Sequence, residues 1–84
     1  MKYVIEVPEY NNGIQYHWIG DSRISVTSFD GSVIIKANRD GLMSLANHLV
    51  NLAQEKMPKH SHMHFDELNG GVETGSMELI IEKE

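Results

Sequence analysis

The stretch DGLMSLANHLVNLAQEKMP, residues 40–58, determines how the rest of the chain can be arranged. Apolar residues recur in it at intervals of three and four, the spacing of one face of an amphipathic helix. They are Leu42, Leu45, Ala46, Leu49, Leu52 and Ala53. Asn38 or Asp40 can cap the N-terminus, and Pro58 ends the helix because proline disfavours the α conformation of the residue before it. We therefore predict one helix that buries this apolar stripe.

The segments on both sides of this helix alternate between apolar and polar residues, which is the period of a β-strand. Four apolar rows precede the helix and two follow it, separated by turn sequences such as Asp30-Gly31. The rows are Tyr3/Ile5/Val7, Ile14/Tyr16/Trp18, Ile24/Val26, Val33/Ile35/Ala37, Met63/Phe65 and Met77/Leu79/Ile81. The order ββββαββ predicts an α+β fold, a largely antiparallel sheet of about six strands with one helix packed on one face.

Length and composition limit the class of protein. A chain of 84 residues predicts a single domain over residues 1–84, with a small core. The sequence contains no cysteine, and its N-terminus has neither the pattern of a signal peptide nor that of a membrane span. We therefore expect a cytoplasmic protein without disulfides that does not bind a membrane.

The net charge of −5 is concentrated at one end of the chain. Residues 1–65 carry six acidic and six basic residues, whereas residues 66–84 carry six acidic residues and Lys83 alone. An acidic segment repels phosphate backbones and attracts basic surfaces. This distribution favours a basic protein partner over a nucleic acid, although a solvated edge strand would have the same composition.

The sequence HSHMHFD, residues 60–66, places three histidines and an aspartate at intervals of two. On a strand such residues point to one face, with Met63 and Phe65 on the other. Three imidazoles and a carboxylate are donors that zinc accepts. One alternative function is therefore a small metal-binding protein or a metal-dependent hydrolase using the row His60, His62, His64 and Asp66.

Catalysis is the less favoured interpretation of this row. A hydrolase needs a cleft that excludes water, and an 84-residue chain has little mass to build one. The other histidines, His17 and His48, are isolated, and we expect His48 to be partly exposed beside the helix stripe. The sequence also has no cysteine nucleophile, nucleophile-elbow serine or phosphate-cradling loop. We therefore expect a protein that is not an enzyme and has neither a cofactor nor a resident metal ion.

One helix can cover only one face of the predicted sheet. The rows that begin at Tyr3, Ile14, Val33, Met63 and Met77 can supply the core under it. The opposite face would then mix polar residues with Val4, Ile19, Ile34 and Ile80. Such a face is typical of a binding surface for another protein or for a second copy in a homodimer, unless a strongly curled sheet buries it. Tyr16 and Trp18 would anchor that interface if exposed and belong to the core if not.

Several sequences in the second half of the chain form a distinctive pattern. They are IIKANRDGL (34–42), Leu45-Ala46, Leu49, Leu52-Ala53, SHMHFD (61–66) and GSMELII (75–81). The pattern covers about residues 33–83 and resembles the immunity protein 32 family of bacterial polymorphic toxin systems. The resemblance implies a small cytoplasmic protein that neutralises a cognate toxin domain by stoichiometric binding.

The resemblance also suggests the kind of partner. Many toxin domains of these systems are nucleases, whose substrate clefts are basic, and an acidic C-terminal segment could occupy such a cleft by charge complementarity. We expect the partner-binding residues to be a strand face together with nearby acidic residues. They are His62, His64, Asp66, Glu73, Glu78 and Glu82.

Overall fold

A computed structural model describes residues 1–10, 13, 17–68 and 70–84 of the chain. The elements in them are β1 (Ile24–Phe29), β2 (Ser32–Ala37), α1 (Arg39–Leu52), β3 (His62–Phe65) and β4 (Leu79–Glu82). This is an α+β arrangement with one helix in the described ranges, as predicted. The prediction of about six strands in one large sheet is wrong, because four strands form two antiparallel sheets of two strands each.

Each sheet is a pair of antiparallel strands. In the first, β1 pairs with β2 from Ile24↔Ala37 to Phe29↔Ser32. Asp30 and Gly31 form the turn with φ values of 49° and 82°, the left-handed region that an Asp-Gly turn adopts. In the second, β3 pairs with β4, with Met63 opposite Ile81. The pairing of β1 with β2 confirms the hairpin predicted from Asp30-Gly31. We call β1 and β2 the first hairpin, and β3 and β4 the second hairpin.

Backbone hydrogen bonds connect β1 to the segment between β3 and β4 without extending the sheet. The N–H of Glu73 donates to the Ile24 carbonyl at 2.7 Å, and the N–H of Met77 donates to the Val26 carbonyl at 2.8 Å. One residue of β1 separates these carbonyls, whereas three residues separate the donors, because a turn at residues 74–75 intervenes. A regular ladder needs equal spacing on both strands, so the sheet is interrupted here.

The N-terminal strand predictions are not confirmed. Residues 1–10 form no strand, so the row Tyr3/Ile5/Val7 was wrongly predicted to be one. In the next row, Ile14 and Tyr16 lie outside the described residues, and Trp18 belongs to no strand. Alternation makes a segment amphipathic, but a strand also needs a paired neighbour, and alternation does not supply one. Met77 likewise lies before β4, which begins at Leu79.

The hydrophobic core lies between the C-terminal end of α1 and the second hairpin. Its cluster of buried residues consists of Leu52, Met57, Met63 and Phe65, packed against Tyr10, Leu45, Val72, Leu79 and Ile81. Ile24 and Val26 of β1 are also buried. Val33 and Ile35 of β2, which we expected in the core, are exposed. The core is therefore built on β1 and β3 rather than on every predicted strand.

The face that α1 buries overlaps the predicted apolar stripe only in part. Leu42 and Leu49 of the apolar stripe are 54% and 42% exposed. The buried residues are Gly41, Ser44, His48, Asn51 and Leu52. His48, expected to be partly exposed, is completely buried. Leu52 of the stripe is buried and Leu45 packs against the core, so the stripe predicted the helix correctly and its buried face in part. The helix ends at Leu52, so the prediction that Pro58 ends it is wrong.

Hydrogen bonds from the segment before β1 explain this orientation. The N–H of Ile19 donates to Ser44 Oγ at 2.7 Å, and the N–H of Asp21 donates to Asp40 Oδ2 at 3.1 Å. The N–H of Ile19 is partly buried, and leaving a buried donor unsatisfied costs about 1–3 kcal/mol, whereas the bond from Asp21 is exposed. The polar face of α1 therefore turns inward, where it accepts hydrogen bonds from the backbone of this segment.

Among the described residues, no helix has the length and apolar composition of a membrane-spanning segment.

Candidate functional site

The second hairpin has one apolar and one polar face. Along β3, Met63 and Phe65 are buried while His62 and His64 are exposed, so side chains alternate as the spacing predicted. On β4, Ile80 and Glu82 are exposed. Because the inner face is held by the core, the outer face is presented on a fixed backbone. We call this outer face, formed by His62, His64, Asp66, Glu78, Ile80 and Glu82, the hairpin face.

One end of the hairpin face brings an imidazole together with two carboxylates. His64 Nε2 lies 3.1 Å from Glu78 Oε2. Asp66 completes the group, since candidate ligand atoms of these three residues lie within 4.8 Å of one another. Phe65 pairs with Leu79, so Asp66 after β3 and Glu78 before β4 lie at the same end of the hairpin, although the bridges that Asp66 itself forms are to Gly70 and Gly71. Strand pairing therefore assembles residues that are 12 positions apart in the sequence.

The other end of the hairpin face carries a separate pair. His60 Nδ1 lies 3.5 Å from Glu82 Oε2, and both side chains are largely exposed. His60 has a φ of 71°, so the chain turns at this residue before β3 begins. The His62 and His64 rings are 6.3 Å apart, edge to face. The predicted row of four is thus divided: His60 joins Glu82, and His64 joins Asp66 and Glu78.

Glu73 does not lie on the hairpin face. Its N–H is bonded to Ile24 of β1, and it lines a cavity of about 340 Å³ together with Trp18 and Asp21. Five of the six predicted partner-binding residues therefore share one face, and Glu73 is positioned beside the other sheet. Trp18, expected to be either anchor or core, is 41% exposed and packs on Phe65 at 6.2 Å between ring centroids.

A buried histidine supports the hairpin from beneath. The His48 ring lies 4.4 Å from the Trp18 ring and stacks on Phe65 at 6.0 Å. Burial lowers the pKa of His48; a hydrogen bond with the His17 backbone opposes this effect, and the charge of His17 adds to it. This environment between the helix and β3 therefore favours the neutral form of the imidazole.

The sequence held a signal for this buried histidine that our interpretation missed. Gly41, Ser44, His48 and Asn51 recur at intervals of three, four and three, the same helical period as the leucine stripe. A stripe of small and polar residues at helical spacing indicates a buried helix face just as an apolar stripe does. The contact that it indicates is close and hydrogen-bonded.

Apolar side chains are also exposed at several places on the surface. Val4, Ile34 and Ile80, which we expected on an uncovered face, are exposed, while Ile19 is half-buried. Phe29 and Val33 in the first hairpin are 73% and 61% exposed. Tyr16, the other expected anchor, lies outside the described residues. Exposed apolar groups beside charged ones are typical of protein-binding surfaces.

The arrangement suits binding through several polar groups at once. The hairpin face offers imidazoles and carboxylates on paired strands, with exposed Ile80 directly across from His64. Carboxylates accept hydrogen bonds from lysine and arginine, and neutral imidazoles both donate and accept. These groups are of the kinds that contact cationic protein surfaces or metal ions.

A sequence profile described as Immunity protein 32 matches residues 32–84, which contain β2, α1, β3 and β4. No curated protein and no solved structure matches the chain. The profile covers well over half of the sequence and includes every residue of the hairpin face. The chain therefore belongs to the immunity protein 32 family.

Proposed function

We propose that this protein neutralises a cognate bacterial toxin in the cytoplasm by binding it stoichiometrically, with no catalytic step of its own. Membership of an immunity protein family supports this class of function. We choose the hairpin face as the toxin-binding surface for one reason. Its polar groups project from a backbone that buried Met63 and Phe65 hold in place. A preordered surface loses little conformational entropy on binding, so more of the contact energy appears as affinity.

The charge of this surface favours a basic partner, such as a nuclease domain with a basic substrate cleft. Asp66, Glu78 and Glu82 lie on the hairpin face, and Glu73 adds an exposed carboxylate beside β1. Complementary charge mainly speeds association and excludes wrong partners. An acidic inhibitor surface would also compete directly with phosphate groups for a basic cleft.

The exposed apolar residues of the first hairpin support a second contact surface. Phe29 and Val33 would be covered either by the toxin or by a second copy of the chain. Light scattering of the free protein at low and high concentration tests whether a second copy of the chain covers this surface. A mass that doubles with concentration supports a homodimer, and a constant monomer mass excludes the homodimer as the cover of this surface.

Co-expression with the toxin encoded beside the gene tests the proposal. We expect the wild-type chain to restore growth, and Glu78→Lys/Glu82→Lys to lose this rescue because two charges on the hairpin face are reversed. Glu6→Lys/Glu55→Lys is the matched control, since both residues are exposed outside the hairpin and the net charge changes equally. Glu73→Lys reports separately on the acidic group beside β1.

Two outcomes of this experiment would reject the proposal. Failure of the wild-type chain to restore growth would exclude neutralisation of that toxin. Equal rescue by both double variants would exclude the hairpin face as the toxin-binding surface. Circular dichroism of each purified variant should show an unchanged fold, so that a lost rescue reports binding.

A further inference from the structure

We infer that His64, Asp66 and Glu78 form a binding site for a divalent transition-metal ion such as Zn²⁺. This site differs from the row His60, His62, His64 and Asp66, because Glu78 replaces His60 and His62 as a ligand. It goes beyond toxin neutralisation and does not depend on it, since the isolated chain would bind the ion.

The distances in the group are close to those of a metal site. Zinc binds imidazole nitrogen and carboxylate oxygen at about 2.0–2.2 Å, so two ligands of a tetrahedral ion stand about 3.4 Å apart. His64 Nε2 and Glu78 Oε2 are 3.1 Å apart, and all three ligand atoms lie within 4.8 Å of one another. Shortening the largest of these separations, up to 4.8 Å, to about 3.4 Å would require side-chain torsion changes of half-buried Asp66 or exposed Glu78.

The backbone gives a second reason to expect a cation here. Asp66 directly follows β3 and Glu78 directly precedes β4, so the paired strands hold both carboxylates at the same end of the hairpin, where like charges repel. His64 lies two residues before Asp66 and therefore on the same face. A bound divalent ion would compensate both carboxylates and use the imidazole as its third ligand.

The donor set determines the kind of ion. One nitrogen and two oxygen ligands suit zinc and other first-row transition metals, whereas magnesium prefers oxygen ligands alone. Three protein ligands leave the fourth position of tetrahedral zinc to water. Because the His64 side chain is 40% exposed and that of Glu78 is 52% exposed, we expect weaker binding than at a closed structural zinc site.

Calorimetric titration of tag-free protein with zinc chloride tests this site. We expect saturable binding of one ion per chain, and Glu78→Gln should weaken it at least about tenfold, since even outer-shell partners contribute that much. Glu82→Gln is the matched control because it removes the same charge from the other His–Glu pair of the hairpin. This control and His60→Gln should each leave the affinity within about twofold of wild type.

Three results would overturn the inference. A wild-type chain that shows no saturable one-to-one binding has no site. An affinity lost in His60→Gln but kept in Glu78→Gln would assign zinc to the histidine row instead. Equal losses in Glu78→Gln and Glu82→Gln would indicate general attraction to negative charge. Thermal unfolding of each variant without metal checks the fold, and none of these results depends on whether the chain rescues growth.

Discussion

His48 connects the helix, the segment before β1 and the second hairpin through a single buried ring. Its neighbours are Trp18 and Phe65, and its polar partner is the His17 backbone. Burial disfavours the charged form, so the pKa of His48 is lowered from its ordinary value of 6.5. Protonation of one side chain is therefore coupled to the packing of three segments.

We expect this histidine to make the fold sensitive to mild acid. Below about pH 6.5 the unfolded chain takes up a proton that the folded chain resists, so the free energy of unfolding falls. The stability contributed by neutral His48 is complete above that pH, and the loss below it is at most about 1.4 kcal/mol per pH unit. Urea unfolding followed by Trp18 fluorescence at pH 7.5 and 5.5 measures this difference.

The variant His48→Phe isolates the effect, because it keeps an aromatic ring against Trp18 and Phe65 but cannot be protonated. Its absolute stability can change in either direction, but the fall between pH 7.5 and 5.5 should shrink. His62→Gln, which alters an exposed histidine, should keep the wild-type fall. If His48→Phe also keeps the full fall, another group causes the acid sensitivity.

At the scale of elements, the orientation of α1 depends on how closely it approaches the start of β1. Gly41 is the point of contact, since a Cβ atom there would lie 2.6 Å from the Arg23 carbonyl and 3.0 Å from Ile24 Cγ1. Asn38 caps the helix beside it, with Oδ1 accepting from the N–H groups of Gly41 at 2.8 Å and Arg23 at 3.0 Å. Because residue 41 is glycine, α1 can approach the start of β1 closely. The Asn38 side chain then accepts hydrogen bonds from both segments.

We therefore predict unequal losses of stability for two neighbouring substitutions in α1. Gly41→Ala should destabilise the protein by about 1–3 kcal/mol through overpacking, despite the better helix propensity of alanine. Leu42→Ala should cost less than about 1 kcal/mol, because this side chain is mainly exposed. Equilibrium urea unfolding measures both. A larger loss of stability in Leu42→Ala than in Gly41→Ala would instead support the helix orientation predicted from the leucine stripe.

The elements show which features the sequence could reveal. The start of α1, the Asp-Gly hairpin and the alternation of β3 are local patterns, and each was correctly predicted. The buried face of α1 is held by hydrogen bonds from Ile19 and Asp21, and these distant partners cannot be identified from the sequence of the helix. The grouping of Glu78 with His64 depends on the register of β3 against β4. The hairpin face was therefore predictable, but its division into two groups was not.

At the scale of the whole molecule, the segment matched by the family profile is not the whole folding unit. The match begins at residue 32, after β1. Ile24 and Val26 of β1 are 2% and 1% exposed, so the first 31 residues supply part of the core. They also supply Trp18, which covers His48. Without β1, strand β2 has no partner in the described part of the chain.

We predict that a chain of residues 32–84 alone does not fold cooperatively. It loses the buried side chains of β1 and the hydrogen bonds that orient α1, and in a domain this small such losses approach the total stability of about 5 kcal/mol. Circular dichroism during heating should show no sigmoidal transition for residues 32–84. A chain of residues 10–84, which lacks only a mainly exposed segment, should keep one. A sharp transition in the shorter chain would mean that β2, α1, β3 and β4 form a core without β1.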